Sequence, residues 1–211
     1  MLARAPALVT ESEYLELEAA SLEKHEFVNG EVLAMSGVSY HHSTIAANLV
    51  GALKARLRGK PCQPHGSDLR VHTSETGLYA YPDLVIVCGE PELTPSSPPS
   101  LLNPRVLIEV LSESTERHDR VVKVAHYRHR GSVDAIVLVD SRRRLVEIQT
   151  RNAVPAGAHS TWTLDERTEG ELAIAVLDVV IPFDEVYEGV TFPPVPTAQA
   201  RPRPRASPKA R

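Results

Sequence analysis

One short segment constrains the fold more than any other part of the sequence. The run RVLIEVLS at 105–112 has apolar side chains on both faces of an extended strand, and Glu109 alone interrupts the pattern. A strand that is apolar on both faces is typical of the middle of a sheet that is covered on both sides. An unpaired carboxylate in that position costs several kcal/mol. The sequence therefore predicts a positive group close to Glu109.

A second acid, Asp83, lies in the same kind of pattern. In YPDLVIVC at 81–88 the residues after Asp83 are apolar on both faces, and Pro82 limits strand pairing at the start of the run. Asp83 is therefore expected where the ladder of this strand begins. Two acids on neighbouring buried strands predict a shared cation, for which the candidates are a divalent metal ion and Lys123.

The order of elements predicts a mixed α/β (α+β) fold in which helices flank a β-sheet core. A first helix over 11–19 has Thr10 as its N-cap and Glu13 as its capping-box partner. A hairpin turning at Asn29-Gly30 follows it. Apolar residues at helical spacing predict a second helix at 41–57. Strands are predicted at 63–73, 78–88, 105–111, 134–139 and 144–150, with short edge strands at 161–163 and 171–176.

The helix predicted at 115–130, with Gly131 in the C-cap position, presents Asp119, Lys123 and Tyr127 at intervals of four residues. Because it directly follows the Glu109 strand, the helix can fold back on the sheet and bring Lys123 to the acids. In the alternative interpretation, Asp119 and Lys123 form an exposed pair that contributes only ~0.3–0.5 kcal/mol.

Length and charge indicate one domain and a tail. Of the 211 residues, 42% are apolar and 24% are charged, as in globular proteins. We predict a single domain at 1–192 and a disordered Pro/Arg-rich basic tail at 193–211. The last fifteen residues contain five basic residues and no acidic one, which leaves 18 basic against 27 acidic residues in 1–196, a formal charge of −9. The tail is either solubilising or an auxiliary arm that contacts phosphates.

Several classes of protein are not expected. No apolar run is longer than six residues, far fewer than the ~20 that cross a bilayer, so no membrane partner is expected. The N-terminus lacks the apolar core of a signal peptide, which predicts a cytoplasmic protein. Cys62 and Cys88 have no CxxC partner, so neither a disulfide nor a zinc site is expected. The acidic body does not indicate a broad nucleic-acid-binding face.

A resemblance to a known family becomes specific when the motifs are read in order. The strings EYLELE, HEFVNGEVLAMSG, YPDLVIV, VLIEVLSEST and DRVVKVAHY, over roughly residues 8–190, resemble the bacterial putative restriction endonuclease family. That family belongs to the PD-(D/E)XK phosphodiesterase superfamily, and the resemblance implies a restriction-endonuclease-like fold. In the superfamily motif the lysine lies two residues after the second acid, where this chain has Leu111. The resembled family places its lysine on the following helix, which matches Lys123.

The resemblance implies a metal-dependent phosphodiesterase, a DNA endonuclease. Asp83, Glu109 and the main-chain carbonyl of Val110 are expected to hold Mg²⁺ or Mn²⁺, and Lys123 is expected to add positive charge beside the attacked phosphate. Asp83, Glu109 and Lys123 are thus the expected catalytic residues. The resemblance also points to cleft-lining roles for Glu26, Glu31 and His42. Hairpin acids are more often solvated, and a histidine at the start of a helix is more often a surface or capping residue.

A competing hypothesis is a non-catalytic nucleic-acid-binding or assembly module that retains the nuclease fold. The formal charge of −9 favours it, because tight DNA binding then requires segregated charge or a homodimer that creates a basic cleft. The presence of Asp83, Glu109 and Lys123 together favours the enzyme, because a module without chemistry has no use for buried acids.

Overall fold

The computed structural model describes residues 8–35, 37–153 and 160–192. Four α-helices lie in these segments: α1 (Glu11–Ala20), α2 (Tyr40–Arg56), α3 (Val124–His129) and α4 (Phe183–Val186). A π-helix, His118–Lys123, leads directly into α3. The strands are β1 (His25–Val28), β2 (Glu31–Ala34), β3 (Cys62–Gly66), β4 (Val71–Thr73), β5 (Leu78–Ala80), β6 (Leu84–Cys88), β7 (Val106–Leu111), β8 (Ala135–Asp140), β9 (Val146–Arg151), β10 (Trp162–Arg167), β11 (Glu171–Ile174) and β12 (Val179–Pro182).

These strands form three sheets. The largest has the order β10-β9-β8-β7-β6-β3, and within it only β7 and β8 pair in parallel. A four-stranded sheet has the order β2-β1-β5-β4, and β11 pairs with β12. Parallel neighbours need a long crossover, and the π-helix with α3 supplies it between β7 and β8. The prediction that the two acid-bearing strands are neighbours in one sheet is confirmed, because β6 pairs with β7.

The six-stranded sheet is covered on both faces, as the apolar pattern of β7 predicts. Every residue of β7 is buried. One face packs against α2 and the β11–β12 ribbon. The other face packs against α3 and the four-stranded sheet. The result is a layered α/β structure whose central strands meet no solvent on either side.

Local sequence signals account for the ends of several elements. Thr10 and Glu13 form the predicted capping box at the start of α1. Asn29 and Gly30 both have positive φ at the hairpin turn, a conformation that these two residue types adopt most readily. Ser39 caps α2, since its side chain accepts a hydrogen bond from the His42 backbone N–H at 3.2 Å.

Two predicted strands are each divided between sheets. The 63–73 segment forms β3 in the six-stranded sheet and β4 in the four-stranded sheet. The 78–88 segment is divided in the same way between β5 and β6. The second division falls at 81–83, where Pro82 has no N–H to continue a ladder. The first division falls at a turn over 67–69, so each of the two predicted strands is in fact two shorter strands in different sheets.

The expectation that Cys62 and Cys88 form no disulfide is wrong. They are directly opposite each other on the antiparallel strands β3 and β6, with a Cα–Cα distance of 3.9 Å, and their sulfur atoms are bonded. Spacing in the sequence gives no sign of this pairing, because it depends on the register between the strands.

The helix predicted at 115–130 begins as a π-helix rather than as a regular α-helix. It ends at His129 with Arg130 as the C-cap, and Gly131 follows directly at the predicted position but without the positive φ of a typical helix-ending glycine. The tail predicted at 193–211 lies outside the described residues. In the segments that the structure covers, no helix has the length and apolar character needed to span a membrane.

Candidate active site

A single pocket of about 930 Å³ contains most of the predicted site residues. Its walls are the β1–β2 hairpin, the start of α2, the π-helix, and the segments that follow the carboxyl ends of β7 and β8. Asp83, Glu109, Lys123, Glu26 and His42 all line it. The parallel pair β7–β8 therefore opens into the pocket, as sheets of this kind commonly do at the carboxyl ends of their strands.

Glu109 lies at the floor of this pocket and is 2% exposed. Its Oε1 accepts a hydrogen bond from the Tyr127 hydroxyl at 2.7 Å, and its Oε2 is 3.4 Å from the backbone N of Asp83. Burial raises the pKa of the Glu109 carboxyl well above its ordinary value. Lys123 opposes this rise in pKa, whereas three neighbouring carboxylates reinforce it. The predicted need for positive charge at this position is therefore only partly met by the protein.

Asp83 lies one residue before β6 and is less buried than its sequence pattern indicates, with 15% of its side chain exposed. Its Oδ2 accepts a hydrogen bond from the backbone N–H of Val110 at 2.7 Å and lies 3.1 Å from His42 Nε2. In a strand the N–H and C=O of one residue point to the same edge. The Val110 carbonyl therefore points to the same side as Asp83. There β6 no longer pairs with β7, because their pairing ends at Leu84 and Ile108.

Lys123 is 5% exposed, and its ammonium group lies among three carboxylates. Nζ is 2.9 Å from Glu26 Oε1, 3.1 Å from Asp119 Oδ1 and 3.4 Å from Glu109 Oε1. Burial lowers the pKa of Lys123, but these carboxylates outweigh burial and raise the pKa well above its ordinary value. The interpretation of Asp119 and Lys123 as an exposed helix pair is wrong, because both side chains are buried.

The two hairpin acids differ in their positions. Glu26 is 5% exposed, in contrast to the usual solvation of hairpin acids, and the backbone N–H of Tyr81 donates to its Oε1 at 3.1 Å. Burial raises the pKa of Glu26, but the neighbouring His118 ring, the charge of Lys123 and the hydrogen bond from Tyr81 outweigh burial and lower the pKa. Glu31 is exposed beside the turn and does not line the pocket.

Sequence reasoning assigned no site role to three side chains of this cluster. Tyr127 donates to Glu109 and is fully buried. Asp119 accompanies Lys123, and His118 Nε2 lies 3.3 Å from Glu26 Oε2. The only sequence signal for Asp119 and Tyr127 was their spacing of four residues from Lys123, and this spacing did not reveal that they are buried.

The cluster has more negative than positive groups. The carboxyl groups of Glu26, Asp83, Glu109 and Asp119 share the pocket with one lysine. Among the described residues, no three His, Cys, Asp or Glu side chains are arranged to enclose a metal. Mg²⁺ does not need such a cage, because it is usually held by one or two carboxylates and several waters. Asp83, Glu109 and the carbonyl of Val110 therefore fit a magnesium site.

The departure from the superfamily motif has a spatial explanation. Leu111, at the position of the motif lysine, is buried in the core beside α3. Lys123 reaches Glu109 from the crossover helix instead. The positive charge thus lies beside the second acid although it comes from a different element.

Comparisons with known proteins agree with this geometry. The family model Uma2, described as putative restriction endonuclease, matches residues 11–178. The uncharacterized protein sll1609 of Synechocystis sp. PCC 6803 is 32% identical over 133 residues, which are 63% of this chain and 75% of that protein. The uncharacterized protein slr1290 of the same organism is 28% identical over 197 residues, covering 91% of this chain and all of the relative.

The crystal structure of a putative nuclease belonging to DUF820 from Anabaena variabilis resembles this chain in fold. The TM-score is 0.65 at 13% sequence identity, and the alignment covers 85% of this chain and 97% of that one. The predicted restriction-endonuclease-like fold is confirmed by this similarity.

Proposed function

Because the chain belongs to the Uma2 family of putative restriction endonucleases, we propose that it is a metal-dependent phosphodiesterase that hydrolyses DNA. The observation that carries the proposal is the arrangement at the pocket floor. Glu109 Oε2 lies there 3.4 Å from the Asp83 backbone N, and Glu109 Oε1 lies 3.4 Å from Lys123 Nζ, the one lysine among the four carboxyl groups that the described residues bring together in the cluster.

Mg²⁺ or Mn²⁺ is the cofactor that we propose. Asp83, Glu109 and the main-chain carbonyl of Val110 would hold it. The chemistry supplied by such an ion is Lewis-acid polarisation of the phosphate and activation of water. A divalent cation at this position would also offset the burial of the Glu109 carboxyl, which the single charge of Lys123 does only in part.

The protein's own side chains would then position the acids and supply a further charge. His42 and the Val110 N–H hold Asp83 Oδ2 in place, and the Tyr127 hydroxyl holds Glu109 Oε1. Lys123 keeps a fixed ammonium group at the wall of the pocket. A preorganised donor of this kind stabilises the negative charge that develops on a phosphate during hydrolysis.

Cleavage assays on the full chain test the proposal. Plasmid and single-stranded DNA are incubated with Mg²⁺, Mn²⁺ or EDTA, and the Mg²⁺ affinity is measured in parallel by calorimetry. We expect cleavage with either metal, none in EDTA, and loss of both cleavage and Mg²⁺ binding in Asp83→Asn. Asp184→Asn is the matched control, because Asp184 has a side chain 90% exposed and lies outside the pocket.

The assay also separates the enzyme from the non-catalytic module. If the wild-type chain binds DNA but no divalent metal supports cleavage, the module is favoured and hydrolysis is rejected. If cleavage persists in EDTA or in Asp83→Asn, the proposed metal site is wrong.

A further inference from the structure

The turn between β8 and β9, residues 141–145, carries three consecutive arginines, of which the first lines the pocket. Ser141 and Arg142 line the pocket itself. The Ser141 hydroxyl donates to the Leu111 carbonyl at 2.7 Å, which fixes the start of the turn to the end of β7. The turn is therefore held at a constant distance from the strand that carries Glu109.

A buried acid that has no part in the proposed hydrolysis orients two of these arginines. Asp140, 1% exposed, ends β8. Its Oδ1 accepts from Arg142 N at 2.8 Å and Arg142 Nε at 3.0 Å, and its Oδ2 accepts from Arg143 Nε at 3.1 Å. Burial raises the pKa of Asp140, but the hydrogen bonds of the two arginines outweigh burial and lower it. Asp140 is therefore an ionised anchor at neutral pH.

Judged by contacts among the described residues, Arg143 is the one arginine of this turn whose two terminal nitrogens are both unused. Its side chain is 65% exposed, and only its Nε is bonded, to Asp140. Within the part of the chain that the structure describes, its two terminal nitrogens donate to no protein group. Arg142 is more committed, since its Nη2 donates to Glu116 at 2.6 Å. The acid thus lies beneath the turn, and the outer surface presents guanidinium N–H groups in a fixed orientation.

We propose that this turn binds a backbone phosphate next to the one that is cleaved, with Arg143 as the main contact and Asp140 as its positioning residue. The inference rests on the proposed function, in which the substrate is DNA. A guanidinium fork with free terminal nitrogens matches the oxygens of a phosphate. The acidic pocket repels a polyanion, so the phosphates that flank the cleaved one need a cation outside the pocket, and the turn provides it beside the opening.

The adjacent residue supplies a matched control. Arg144 differs from Arg143 by one position and carries the same charge, but its Nη2 donates to Asp184 at 2.6 Å and its guanidinium lies over the Tyr187 ring. Arg144→Ala therefore changes the net charge as Arg143→Ala does, but it removes a guanidinium that is already paired with Asp184.

The experiment measures binding of a fluorescein-labelled DNA duplex by anisotropy in Ca²⁺, from 0.05 to 0.3 M salt. Loss of one phosphate contact reduces the magnitude of the slope of log K against log salt by about 0.9. This corresponds to about an eightfold loss of affinity at 0.1 M salt and about a fourfold loss at 0.2 M. We expect this from Arg143→Ala, a smaller loss from Asp140→Asn, partial recovery in Arg143→Lys, and an unchanged slope in Arg144→Ala. Arg143 is exposed, so its variants retain the fold.

Equal losses in Arg143→Ala and Arg144→Ala would overturn the inference, because they would reflect net charge alone. A wild-type chain that does not bind DNA overturns both the inference and the proposed function. If binding depends on Arg143 but no divalent metal supports cleavage, the phosphate site stands and the proposed hydrolysis is rejected.

Discussion

Replacing Lys123 by methionine tests the buried ion cluster most directly. The substitution keeps the length of the side chain and removes the charge that lies within 3.4 Å of three carboxylates. Removing one partner of a buried ion pair costs about 3–5 kcal/mol, because the remaining charge is left uncompensated. A chain of this size loses about 2–4 °C of Tm per kcal/mol, so we expect the Tm of Lys123→Met to fall by about 6–20 °C.

The assay is thermal and urea unfolding of the metal-free protein at pH 7, followed by circular dichroism. Lys54→Met is the control, because Lys54 is exposed on α2 and its replacement should change stability by less than about 0.5 kcal/mol. Adding Glu26→Gln to Lys123→Met should recover part of the loss, since the two side chains are 2.9 Å apart. Equal stability of the two lysine variants would refute the buried cluster.

The same variant also tests the proposed role in hydrolysis. In single-turnover assays well below the Tm, Lys123→Met should cut the cleavage rate by about 10² to 10³. Lys123→Arg should recover this rate only in part, because a planar fork does not replace a compact ammonium group. A rate equal to that of the wild type would remove Lys123 from the mechanism.

Three further predictions concern stability. The raised pKa of Glu109 means that the folded state holds this proton more tightly than the unfolded state. The free energy of unfolding of the metal-free protein should therefore fall by up to about 1.4 kcal/mol per pH unit as the pH rises above 4.5. Glu109→Gln should abolish this slope in urea titrations at several pH values. Tyr127→Phe leaves Glu109 Oε1 without its donor and should cost about 1–3 kcal/mol in thermal unfolding. Reduction of the Cys62–Cys88 bond, which spans 26 residues, should cost about 3.5 kcal/mol, and a Cys62→Ser/Cys88→Ser variant should be insensitive to dithiothreitol.

The sequence predicts the central strands well because burial on both faces leaves a local pattern. Glu109 stands out for the same reason: its neighbours on both faces are apolar, so an acid there must have a specific environment. The pairing of β6 with β7 and the packing of helices on both faces follow from this pattern.

Other features depend on contacts between distant segments and leave no local pattern. The burial of Glu26 depends on Lys123, 97 residues later in the sequence, and on the backbone of Tyr81, 55 residues later. The hairpin pattern around Glu26 is that of a solvated acid. The disulfide depends on the register of β3 against β6. The division of 63–73 falls at a turn over 67–69 and that of 78–88 at Pro82, but the local sequence does not show which sheet each half joins.

The π-helix ahead of α3 has a consequence for how this chain can vary. A π-helical turn accommodates one more residue than an α-helical turn, and such turns occur frequently at functional sites. Deleting one residue there, such as Val121, whose surface is 62% exposed, would restore regular α-helical geometry. The same deletion would bring Asp119 from four to three residues before Lys123, and residues at either spacing lie on the same face of an α-helix. Loss of the extra residue is therefore compatible with the pocket, and we expect chains that lack it to keep an acid three residues before the lysine.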